Sequence, residues 1–501
     1  MGSANARGYN AAEDLLGRNA GRPEKIAYID DAGACTYREL GRRVNRFASA
    51  LQRLGVQPEQ RILIAMLDTI DWPVAFLGAI KAGVIPVAAN TLLTTSDYAY
   101  MLDDSRARAL FVSKPLLPQF APLLPAIEQV VSDVGAFVDS GTDSPAPVRT
   151  TPDDPCFWLY SSGSTGAPKG TVHVHSSLAQ TAELYAKPVL GIREEDVVFS
   201  AAKLFFAYGL GNALSFPLSV GATTVLMAER PTPQAVFQRL VQRRPTIFYG
   251  VPTLYAALLA HAEFPQALHL RVCTSAGEAL PRELGERWKA RTGVDVLDGI
   301  GSTEMLHIFL SNRPGEVRYG TTGRPVPGYE VRLTDEQGAR VATGEVGDLW
   351  INGPTAAACY WNQREKSRAT FCGEWTKSGD KYSCDADGYY TYAGRSDDML
   401  KVSGIYVSPF EVEAALASHD AVLEAAVVGV EDAEKLVKPK AFVVLKQGGD
   451  ASDALKGALQ QHVKGRLAPY KYPRWIEFVG ELPKTATGKI QRFKLRPQAR
   501  V

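Results

Sequence analysis

A loop rich in hydroxyls and glycine, residues 160–170, constrains this chain more than any other stretch. It reads Tyr-Ser-Ser-Gly-Ser-Thr-Gly-Ala-Pro-Lys-Gly and holds four Ser or Thr hydroxyls, three glycines and one lysine. Such a set of donors is typical of sites that bind the oxygens of a polyphosphate. Apolar residues 157–160 precede the loop and the alternating residues 171–175 follow it, so we expect it to connect two strands.

Two features separate this loop from the Walker loop of motors and kinases. In the Walker motif the lysine is followed by Ser or Thr and the chain runs into a helix. Here Pro168 precedes Lys169 and Gly170 follows it. An ordinary P-loop nucleotidase is therefore not expected. A solvated Ser/Gly linker is the alternative, but a linker would not lie between two apolar runs.

Length and composition limit what the rest of the chain can be. At 501 residues it exceeds a single hydrophobic core, so we expect several domains or subdomains. The 55 Lys and Arg balance 54 Asp and Glu, and a net charge of +1 offers no general attraction to nucleic acid or to an anionic membrane. The six cysteines contain no C-x-x-C pair, which favours a reducing cytoplasm without disulfides or structural zinc. Neither a membrane span nor a signal peptide is expected.

Alternating helix and strand patterns predict an α/β fold before the loop. Thr36 and Glu39 match a capping box, and the apolar helical face that follows ends at Gly55. Further elements are expected as strands at 61–67 and 85–89 and as helices at 72–81 and 96–103. This β-α-β order indicates a parallel sheet. Residues 115–155, rich in Pro, Ser and Asp, predict a surface connection.

A second alternating region follows the loop, and the pattern then changes twice. The region's expected elements are strands at 223–227 and 246–249 and helices at 233–243 and 253–262. After Gly320, short strands with glycine turns, at 330–333 and 347–351, predict a mostly β subdomain. The C-terminal part predicts a separate small α+β unit with strands at 425–430 and 440–445 and a helix at 454–467.

Four further stretches carry groups suited to chemistry. Residues 298–304, Asp-Gly-Ile-Gly-Ser-Thr-Glu, combine glycines that admit a flat ligand with a carboxylate suited to a hard cation; a turn capping a helix near Glu304 is the alternative. Residues 378–380, Ser-Gly-Asp, offer a carboxylate to the hydroxyls of a ribose. Residues 394–404 are dense in charge and glycine, where a solvated linker is the alternative, and residues 483–490 present a lysine from a glycine turn.

Together and in this order, the five stretches resemble the adenylate-forming superfamily, which includes acyl-CoA synthetases, the adenylation domains of peptide synthetases and firefly luciferase. The resemblance spans nearly the whole chain. It implies a large N-terminal domain, residues 1–396, of α/β sheet subdomains with a β subdomain, and a small mobile α+β C-terminal domain, residues 397–501. It also implies a hinge at Asp397, an active site between the domains, and the use of ATP, Mg²⁺ and coenzyme A.

The same resemblance implies roles for individual residues. Thr303 contacts phosphate, Glu304 helps to hold Mg²⁺ and Lys489 is the catalytic lysine. Ser403 and Gly404 face the pantetheine arm of CoA. The ATP-binding residues so implied are Ser161, Ser162, Gly163, Ser164, Thr165, Gly166, Lys169, Ala276, Gly277, Glu278, Asp298, Gly299, Ile300, Gly301, Ser302, Asp380 and Arg395.

The implied roles suit the implied chemistry. A carboxylate is a poor acylating agent, and attack on the α-phosphorus of ATP converts it to an acyl-AMP with a good leaving group. Lys489 can neutralise the charge that builds up where the two anions meet. Rotation at Asp397 would then withdraw Lys489 and present Ser403 and Gly404 for attack by a thiol.

The residues that align with acid-binding positions carry no charge suited to an amino acid's ammonium group. They are Phe206, Ala207, Tyr208, Tyr249, Ala276, Ile300, Gly301, Leu306 and His307. An apolar, aromatic slot favours a small aryl acid over a fatty chain. Within the superfamily the resemblance is strongest to bacterial benzoate–CoA ligases. Hydroxybenzoate or aminobenzoate stays open, because Tyr208 or His307 could bond a ring substituent; His307 could equally be a packing residue.

Two other functions stay open at this point: an aryl-acid adenylating enzyme that loads a carrier protein, and a nucleotide-binding sensor without catalysis. Retention of Lys489 and Glu304 argues against the sensor. His173 and His175 lack a third ligand nearby and are interpreted as structural. We expect a cytoplasmic enzyme whose partners are an aryl acid, ATP and CoA rather than nucleic acid or membrane, with a homodimer left open.

Overall fold

The computed structural model divides into two compact units of mixed α/β structure, one large and one small, which confirms the predicted fold class. Its described residues are 8–161, 168–396, 398–402, 405–432, 437–446, 449–467, 471–484 and 490–496. The first unit consists of Met1–Leu280, Leu284–Val331 and Ile351–Lys377, and the second of Pro281–Glu283, Arg332–Trp350 and Ser378–Val501.

One sheet of the first unit contains the strands on either side of the hydroxyl-rich loop. In spatial order its strands are Cys359–Tyr360, Lys169–Val174, Pro155–Ser161, Ile85–Ala88, Arg61–Ala65, Ala109–Val112 and Val130–Val131. From Pro155–Ser161 onward neighbouring strands run parallel, whereas Lys169–Val174 is antiparallel to both of its neighbours. Ile62, Leu63 and Ile64 are all buried, as expected for a strand covered on both faces.

The second sheet of this unit is also largely parallel. In spatial order its strands are Arg324–Pro325, Ile308–Ser311, Val296–Gly301, Val272–Ser275, Ile247–Gly250, Val197–Ser200, Thr223–Val225, Ile26–Ile29 and Ala34–Thr36. The strands from Val296–Gly301 to Ile26–Ile29 run parallel. Their carboxyl ends therefore meet at one edge, which is where sheets of this kind bind ligands.

Helices connect these strands. Up to residue 370 they are Ala11–Gly17, Tyr37–Arg53, Asp71–Lys81, Thr95–Ser105, Leu117–Phe120, Val134–Ser140, His175–Thr181, Ala207–Leu210, Phe216–Val220, Pro233–Gln242, Pro252–Ala260, Arg282–Thr292 and Arg364–Thr370. Lys114–Leu116 and Leu124–Ala126 are 3₁₀-helical, and Ala182–Ala186 and Gly211–Ser215 are π-helical. Segments of π-helix often mark functional sites.

The helix Tyr37–Arg53 follows its sequence signals closely. The Thr36 side chain accepts a hydrogen bond from the Glu39 backbone N–H at 3.2 Å, which confirms the Thr36 half of the predicted capping box. The Glu39 carboxylate forms an ion pair with Arg42 at 2.8 Å. After the helix, Gly55 has a φ of 82°, the left-handed conformation that lets the chain leave a helix.

The main core of the first unit lies between its two sheets. Tyr28 of one sheet and Phe157 of the other join Phe47 and Phe76, which come from two helices. The helices approach closely at Gly78, where an added Cβ would lie 2.6 Å from the Phe47 ring. This packing holds the two sheets in a fixed relation within the unit.

The later part of the chain is richer in strands, as expected. Its strands are Glu330–Thr334, Val346–Asn352, Phe371–Cys372, Trp375–Cys384, Tyr390–Arg395, Leu400–Val402, Ile405–Val407, Val422–Glu431, Val437–Leu445 and Trp475–Phe478, and its helices are Pro409–Ala417, Asp453–Lys464 and Arg492–Leu495. Val422–Glu431, Val437–Leu445 and Trp475–Phe478 form one sheet, with Val437–Leu445 in the middle. Leu416 and Leu459 of two helices are buried in the core on one face of this sheet.

The predicted helices and strands are confirmed with ends that differ by a few residues, but one expectation was wrong. Residues 115–155 are not a plain surface connection, because they contain the helix Val134–Ser140 and the edge strand Val130–Val131. Val134 and Val138 are buried in the main core, and that packing outweighs the local Pro and Ser content. Among the described residues, no helix combines the length and apolarity needed to cross a membrane.

Candidate active site

The hydroxyl-rich loop joins two strands, as predicted. Pro155–Ser161 and Lys169–Val174 pair antiparallel, with Ser161 opposite Lys169. The pairing brings the first hydroxyl and the lysine of the motif to the same level at the base of the loop. The intervening predicted residues Ser162, Gly163, Ser164, Thr165 and Gly166 lie outside the described part of the chain.

Glu304 lies beside this base. Its Oε1 accepts hydrogen bonds from the hydroxyls of Tyr360 at 2.7 Å and Ser161 at 3.4 Å. The Lys169 Nζ lies 3.7 Å from the same oxygen, donates to the Tyr360 hydroxyl at 3.2 Å, and sits 4.2 Å from the centre of the Tyr360 ring. We call Ser161, Lys169, Glu304 and Tyr360 the carboxylate cluster. Its two charged side chains are only 18% and 16% exposed, so their attraction is stronger than on an open surface.

The fold brings together the first two predicted motifs, but sequence reasoning missed Tyr360. Tyr360 reaches the cluster because Cys359–Tyr360 is the strand next to Lys169–Val174, with Tyr360 opposite Thr171. That pairing joins positions almost two hundred residues apart, which no local pattern indicates. A pair of aromatic residues, Tyr360 and Trp361, was the only local signal.

Three backbone carbonyls hold the turn that carries Glu304. The Thr303 carbonyl lies 2.7 Å from His173 Nε2, the Glu304 carbonyl accepts from the Ala357 N–H at 2.8 Å, and the Met305 carbonyl accepts from the Thr355 hydroxyl at 2.7 Å. These contacts come from the strand after the loop and from the segment leading to Tyr360. The turn is therefore fixed by the same elements that form the carboxylate cluster.

His173 has a structural contact of the kind expected for it. Burial lowers the pKa of His173 to about 4, so the ring is neutral and its Nε2–H donates to the Thr303 carbonyl. The ring also stacks on Phe157 at 5.2 Å. His175 begins a helix, and its Nδ1 accepts from the Ala11 N–H at 3.1 Å.

The stretch around Glu304 is not the start of a helix. Residues 303–306 form a turn that leads into the strand Ile308–Ser311. Leu306 has a φ of 63°, which is unusual for a residue with a side chain, and the Leu306 N–H donates to the Thr303 carbonyl at 3.2 Å. Because the turn is tight, the side chains of Glu304 and His307 lie in different surroundings although they are only three residues apart in the chain.

The predicted adenine border lies at the ends of two adjacent parallel strands. Ser275, at the end of Val272–Ser275, is opposite Asp298 on the neighbouring strand. Ala276 is buried, Gly277 has a φ of 92° and Glu278 follows it. Asp298 is buried and accepts from the Leu280 N–H at 3.2 Å, and burial raises the pKa of its carboxyl group well above the usual range.

The glycines of this motif make room for protein. An added Cβ at Gly299 would lie 3.1 Å from the Ile308 side chain, and one at Gly301 would lie 2.6 Å from the His307 carbonyl oxygen. Ile300 lies between them on the strand Val296–Gly301, opposite Leu310. Ser302 accepts a hydrogen bond from the Met305 N–H at 3.1 Å. Glycine is thus needed here for the close approach of the next strand.

His307 lies among aromatic rings. Its ring centre is 4.5 Å from that of Phe216, 5.4 Å from Tyr185 and 5.6 Å from Tyr208. Its Nε2–H points to two acceptors, the Tyr208 carbonyl and Asn212 Oδ1, each at 3.2 Å. Burial lowers the pKa of His307 to about 3, so the imidazole is neutral. Among the described residues, its buried Nδ1 has no hydrogen-bond partner.

Tyr208 and Tyr249 complete this group, with ring centres 6.3 Å apart and nearly perpendicular planes. The Tyr208 hydroxyl pairs with Thr274 Oγ1 at 2.5 Å. The buried Tyr249 hydroxyl has no partner within the described ranges. Burial raises the pKa of both tyrosines well above their usual value. We call Tyr185, Tyr208, Phe216, Tyr249 and His307 the aromatic cluster.

Sequence reasoning found three members of the aromatic cluster and missed Tyr185 and Phe216. Tyr185 lies in the π-helical segment Ala182–Ala186, and Phe216 directly follows Gly211–Ser215. Their spacing differs from that of an ordinary helix, so periodicity could not place them. An added Cβ at Gly211 would lie 2.3 Å from His307 Cδ2, so that glycine is required for the close packing of the ring.

The remaining predicted acid-binding residues pack at the main core of the first unit. Phe206 immediately precedes the helix Ala207–Leu210, and Phe206 and Ala207 are partly buried against the core cluster that contains Leu306. The preceding Lys203 donates to the Glu229 carbonyl at 2.8 Å, which fixes the segment.

The two predicted ribose contacts meet in the second unit. Asp380 and Arg395 are opposite each other on paired strands, and Arg395 Nη1 donates to Asp380 Oδ1 at 3.1 Å. Gly379 has a φ of 77°, and an added Cβ there would lie 2.9 Å from Arg395 Nη2. The expected hinge Asp397, the CoA contacts Ser403 and Gly404, and the catalytic Lys489 lie outside the described residues.

Ion pairs fix the segment that follows Lys489 within the second unit. Arg492 donates twice to Glu413, at 2.9 Å and 2.6 Å, and Glu413 is buried. Arg496 donates to Asp398 at 2.6 Å. Asp398 is the residue after the expected hinge, so these contacts connect that position to the C-terminal end of the chain.

Comparisons with known proteins agree over almost the whole chain. Residues 17–361 match the family model described as AMP-binding enzyme, and residues 411–489 match the AMP-binding enzyme C-terminal domain. Benzoate–CoA ligase of Thauera aromatica is 66% identical, with 97% of this chain and 96% of that protein covered. The 4-hydroxybenzoate–CoA/benzoate–CoA ligase of Rhodopseudomonas palustris is 50% identical, with 98% and 94% covered. The crystal structure of a benzoate CoA ligase from Burkholderia xenovorans shares 61% identity and a TM-score of 0.92, with 97% and 100% covered.

Proposed function

The chain belongs to the AMP-binding enzyme family, and on that premise we propose that it is an ATP-dependent ligase that converts benzoate to benzoyl-CoA. In the first step the carboxylate of benzoate attacks the α-phosphorus of ATP, which forms benzoyl-AMP and releases pyrophosphate. In the second step the thiol of CoA attacks the acyl carbon and releases AMP. The solved and curated relatives named above carry the same activity in their names.

The aromatic cluster is the observation that supports an aryl acid. Its described members are uncharged, because burial keeps His307 neutral and raises the pKa of Tyr208 and Tyr249. Rings in edge-to-face contact suit a flat aromatic guest, and they offer no counter-charge to the ammonium group of an amino acid.

The carboxylate cluster supports the handling of the polyphosphate. Lys169 lies at the base of the loop and offers a positive charge to the β- and γ-phosphates. The Glu304 carboxylate is suited to Mg²⁺, because hard cations bind carboxylate oxygens. Both described hydrogen bonds to this carboxylate are accepted by Oε1. When bound, Mg²⁺ neutralises phosphate charge. Thr303 contacts phosphate beside them.

We also propose which domain acts in each of the two steps. The N-terminal domain, residues 1–396, binds ATP and the acid, and its last residues Asp380 and Arg395, which pack with the second compact unit, contact the ribose. The C-terminal domain, residues 397–501, supplies Lys489, which neutralises the carboxylate and the α-phosphate as they meet. Rotation at Asp397 then withdraws Lys489 and brings Ser403 and Gly404 to the pantetheine arm.

A ring-substituted acid is a second candidate, favoured by two unpartnered groups. His307 Nδ1 and the Tyr249 hydroxyl are buried without a hydrogen-bond partner among the described residues. An unsatisfied buried group costs free energy, which a hydroxyl or amino substituent on the ring would recover. The Tyr208 hydroxyl is less suited to this task, because it already pairs with Thr274.

A kinetic screen tests the proposal. Release of AMP would be measured with benzoate, 4-hydroxybenzoate, 2-aminobenzoate and short fatty acids, with free CoA or a phosphopantetheinyl carrier protein as the acceptor. We expect the highest kcat/KM with benzoate and free CoA. Preference for the carrier protein would replace the ligase with a carrier-loading enzyme. Absence of acid-dependent exchange of pyrophosphate into ATP would leave a nucleotide-binding sensor.

Location and assembly complete the proposal. The reaction uses ATP and CoA and the cysteines are dispersed, which supports a cytoplasmic enzyme. The net charge of +1 supports an enzyme that binds neither membrane nor nucleic acid. Cell fractionation tests the location. Light scattering of the purified protein tests whether it forms a homodimer.

A further inference from the structure

Tyr360 contacts both charges of the carboxylate cluster. Its hydroxyl donates to Glu304 Oε1 at 2.7 Å and accepts from Lys169 Nζ at 3.2 Å, while Lys169 also lies over its ring. One phenol thus satisfies an anion and a cation whose own separation is 3.7 Å. Tyr360 comes from the strand Cys359–Tyr360, which is separate from the hydroxyl-rich loop and from the turn that carries Glu304.

The side chain is held firmly enough for a positioning role. Tyr360 is 3% exposed, and its strand pairs with the strand of Lys169. Its backbone N–H donates to the Ser367 hydroxyl at 3.0 Å, and its ring lies 5.2 Å from that of Phe371. The preceding Ala357 N–H donates to the Glu304 carbonyl, so one segment holds both the backbone and the carboxylate of Glu304.

Without the phenol, the two charges would be expected to close on each other. A direct ammonium–carboxylate hydrogen bond is about 2.8 Å long, and it is strong where the surroundings exclude water. Lys169 and Glu304 are both largely buried, so a closed pair would be favoured. In such a pair, the Lys169 ammonium and the Glu304 carboxylate would bind each other and not the polyphosphate and its cation.

We propose that Tyr360 is a positioning residue that keeps Lys169 and Glu304 apart and aimed, so that both are available to MgATP. This inference rests on the proposed function, in which Lys169 binds phosphate and Glu304 holds Mg²⁺. Tyr360 acts through these two side chains and takes no part in bond making. Its effect must therefore be confined to ligands that carry the β- and γ-phosphates.

Two ligands separate this role from a general structural one. MgATP carries the pyrophosphate and the cation, whereas a non-reactive sulfamoyl analogue of benzoyl-AMP carries the ring, the ribose and the adenine without them. Equilibrium titration of each ligand in the absence of benzoate involves no turnover. The variant is Tyr360→Phe, which removes only the hydroxyl, and the control is Tyr37→Phe, whose buried hydroxyl donates to the Ala222 carbonyl at 2.7 Å.

For Tyr360→Phe we expect the Kd of MgATP to rise about tenfold, the effect of one lost hydrogen bond to a charged group, with the Kd of the analogue unchanged. The Mg²⁺ concentration for half-maximal pyrophosphate exchange should rise in parallel. Tyr37→Phe should change neither Kd. In the double variant Lys169→Gln/Tyr360→Phe, the loss of the hydroxyl should add little to the loss of the ammonium group.

An equal loss of affinity for both ligands would overturn the proposal in favour of a structural role, and unchanged MgATP affinity would overturn it outright. If Tyr360→Phe does not fold, the test passes to Lys169→Gln and Glu304→Gln, whose effects on the Kd of MgATP should be smaller in combination than their sum; additive effects would overturn the proposal. A wild-type protein that binds MgATP but fails the benzoate screen overturns the proposed acid and leaves this inference standing. A wild-type protein that binds no MgATP overturns both.

Discussion

The carboxylate cluster and the aromatic cluster are joined by one short turn, yet they treat charge in opposite ways. In the first, the Lys169 ammonium and the Glu304 carboxylate are retained in a largely buried place, with the Tyr360 hydroxyl between them. In the second, burial keeps His307 and the tyrosines neutral. Only Leu306 and Met305 separate Glu304 from His307 in the chain.

On the proposed function, this difference lets one turn serve two tasks. Adenylyl transfer depends on charges placed where charge develops, so hydrogen bonds must orient them before the substrate arrives. Recognition of an aryl ring depends on shape and on the absence of unpaired charge. The left-handed residue Leu306 lets the backbone reverse between the two surroundings, which an extended strand would not allow.

The largest expected effect concerns the positive charge that Lys489 supplies in the proposed mechanism. Lys489→Ala should lower the formation of benzoyl-AMP by about a thousandfold or more, because two anions then meet without neutralisation. Thioester formation from supplied benzoyl-AMP should stay within a few-fold of wild type. The two half-reactions would be measured separately. Equal loss in both half-reactions would contradict a role for Lys489 confined to neutralising charge in the first step.

The second-largest expected effect concerns the negative charge of Glu304. Glu304→Gln keeps a hydrogen-bond acceptor for Tyr360 but removes the negative charge, so we expect benzoate-dependent pyrophosphate exchange to fall about a hundredfold. The KM for benzoate should change little, because the aromatic cluster is untouched. Glu263→Gln, at an exposed position, is the control and should match wild type. A large rise in the benzoate KM would show that the two clusters do not act separately.

A third variant disturbs only the aromatic cluster. In Gly211→Ala the new methyl group would lie 2.3 Å from His307 Cδ2, so the imidazole must shift. Overpacking of this kind costs about 1–3 kcal/mol, and we expect the KM for benzoate to rise about tenfold with the Kd of MgATP unchanged. Gly41→Ala is the matched control, since nothing lies within 4 Å of its new Cβ. Equal changes in the KM for benzoate and the Kd of MgATP would show that the two clusters do not act separately.

The two clusters also differ in how far sequence could predict them. Ser161, Lys169 and Glu304 lie in dense local motifs, and the strands on either side of the loop follow from alternating apolar residues. Tyr360 belongs to the same cluster but depends on a strand pairing between distant parts of the chain. No local pattern carries that information.

The aromatic cluster was harder to predict because its members are scattered. Tyr208, Tyr249 and His307 were found by alignment with a resembled family. Tyr185 and Phe216 were missed, since two π-helical segments shift their positions on the helical face. The helix Val134–Ser140 was missed for a related reason: Val134 and Val138 are buried by tertiary packing that local composition does not show.

The smallest effect tests the neutrality of His307 directly. The pKa of His307 is about 3 in the folded protein and about 6.5 when unfolded, so between these values only the unfolded chain binds the proton. The free energy of unfolding should therefore fall as the pH drops below about 6.5, by up to about 1.4 kcal/mol per pH unit from this residue. His173 and His175, with pKa values of about 4, add to the same trend.

His307→Gln removes one of these three contributions and leaves the other two. Urea unfolding between pH 5 and pH 6.5 should show a slope with pH that is smaller by about one proton than in wild type, and above pH 7.5 the slopes should agree. The comparison uses slopes, so a constant loss of stability in the variant does not affect it. Equal slopes below pH 6.5 would mean that His307 is already protonated in the fold. A charged imidazole among the rings would end the contrast, because both clusters would then retain charge beside the same turn.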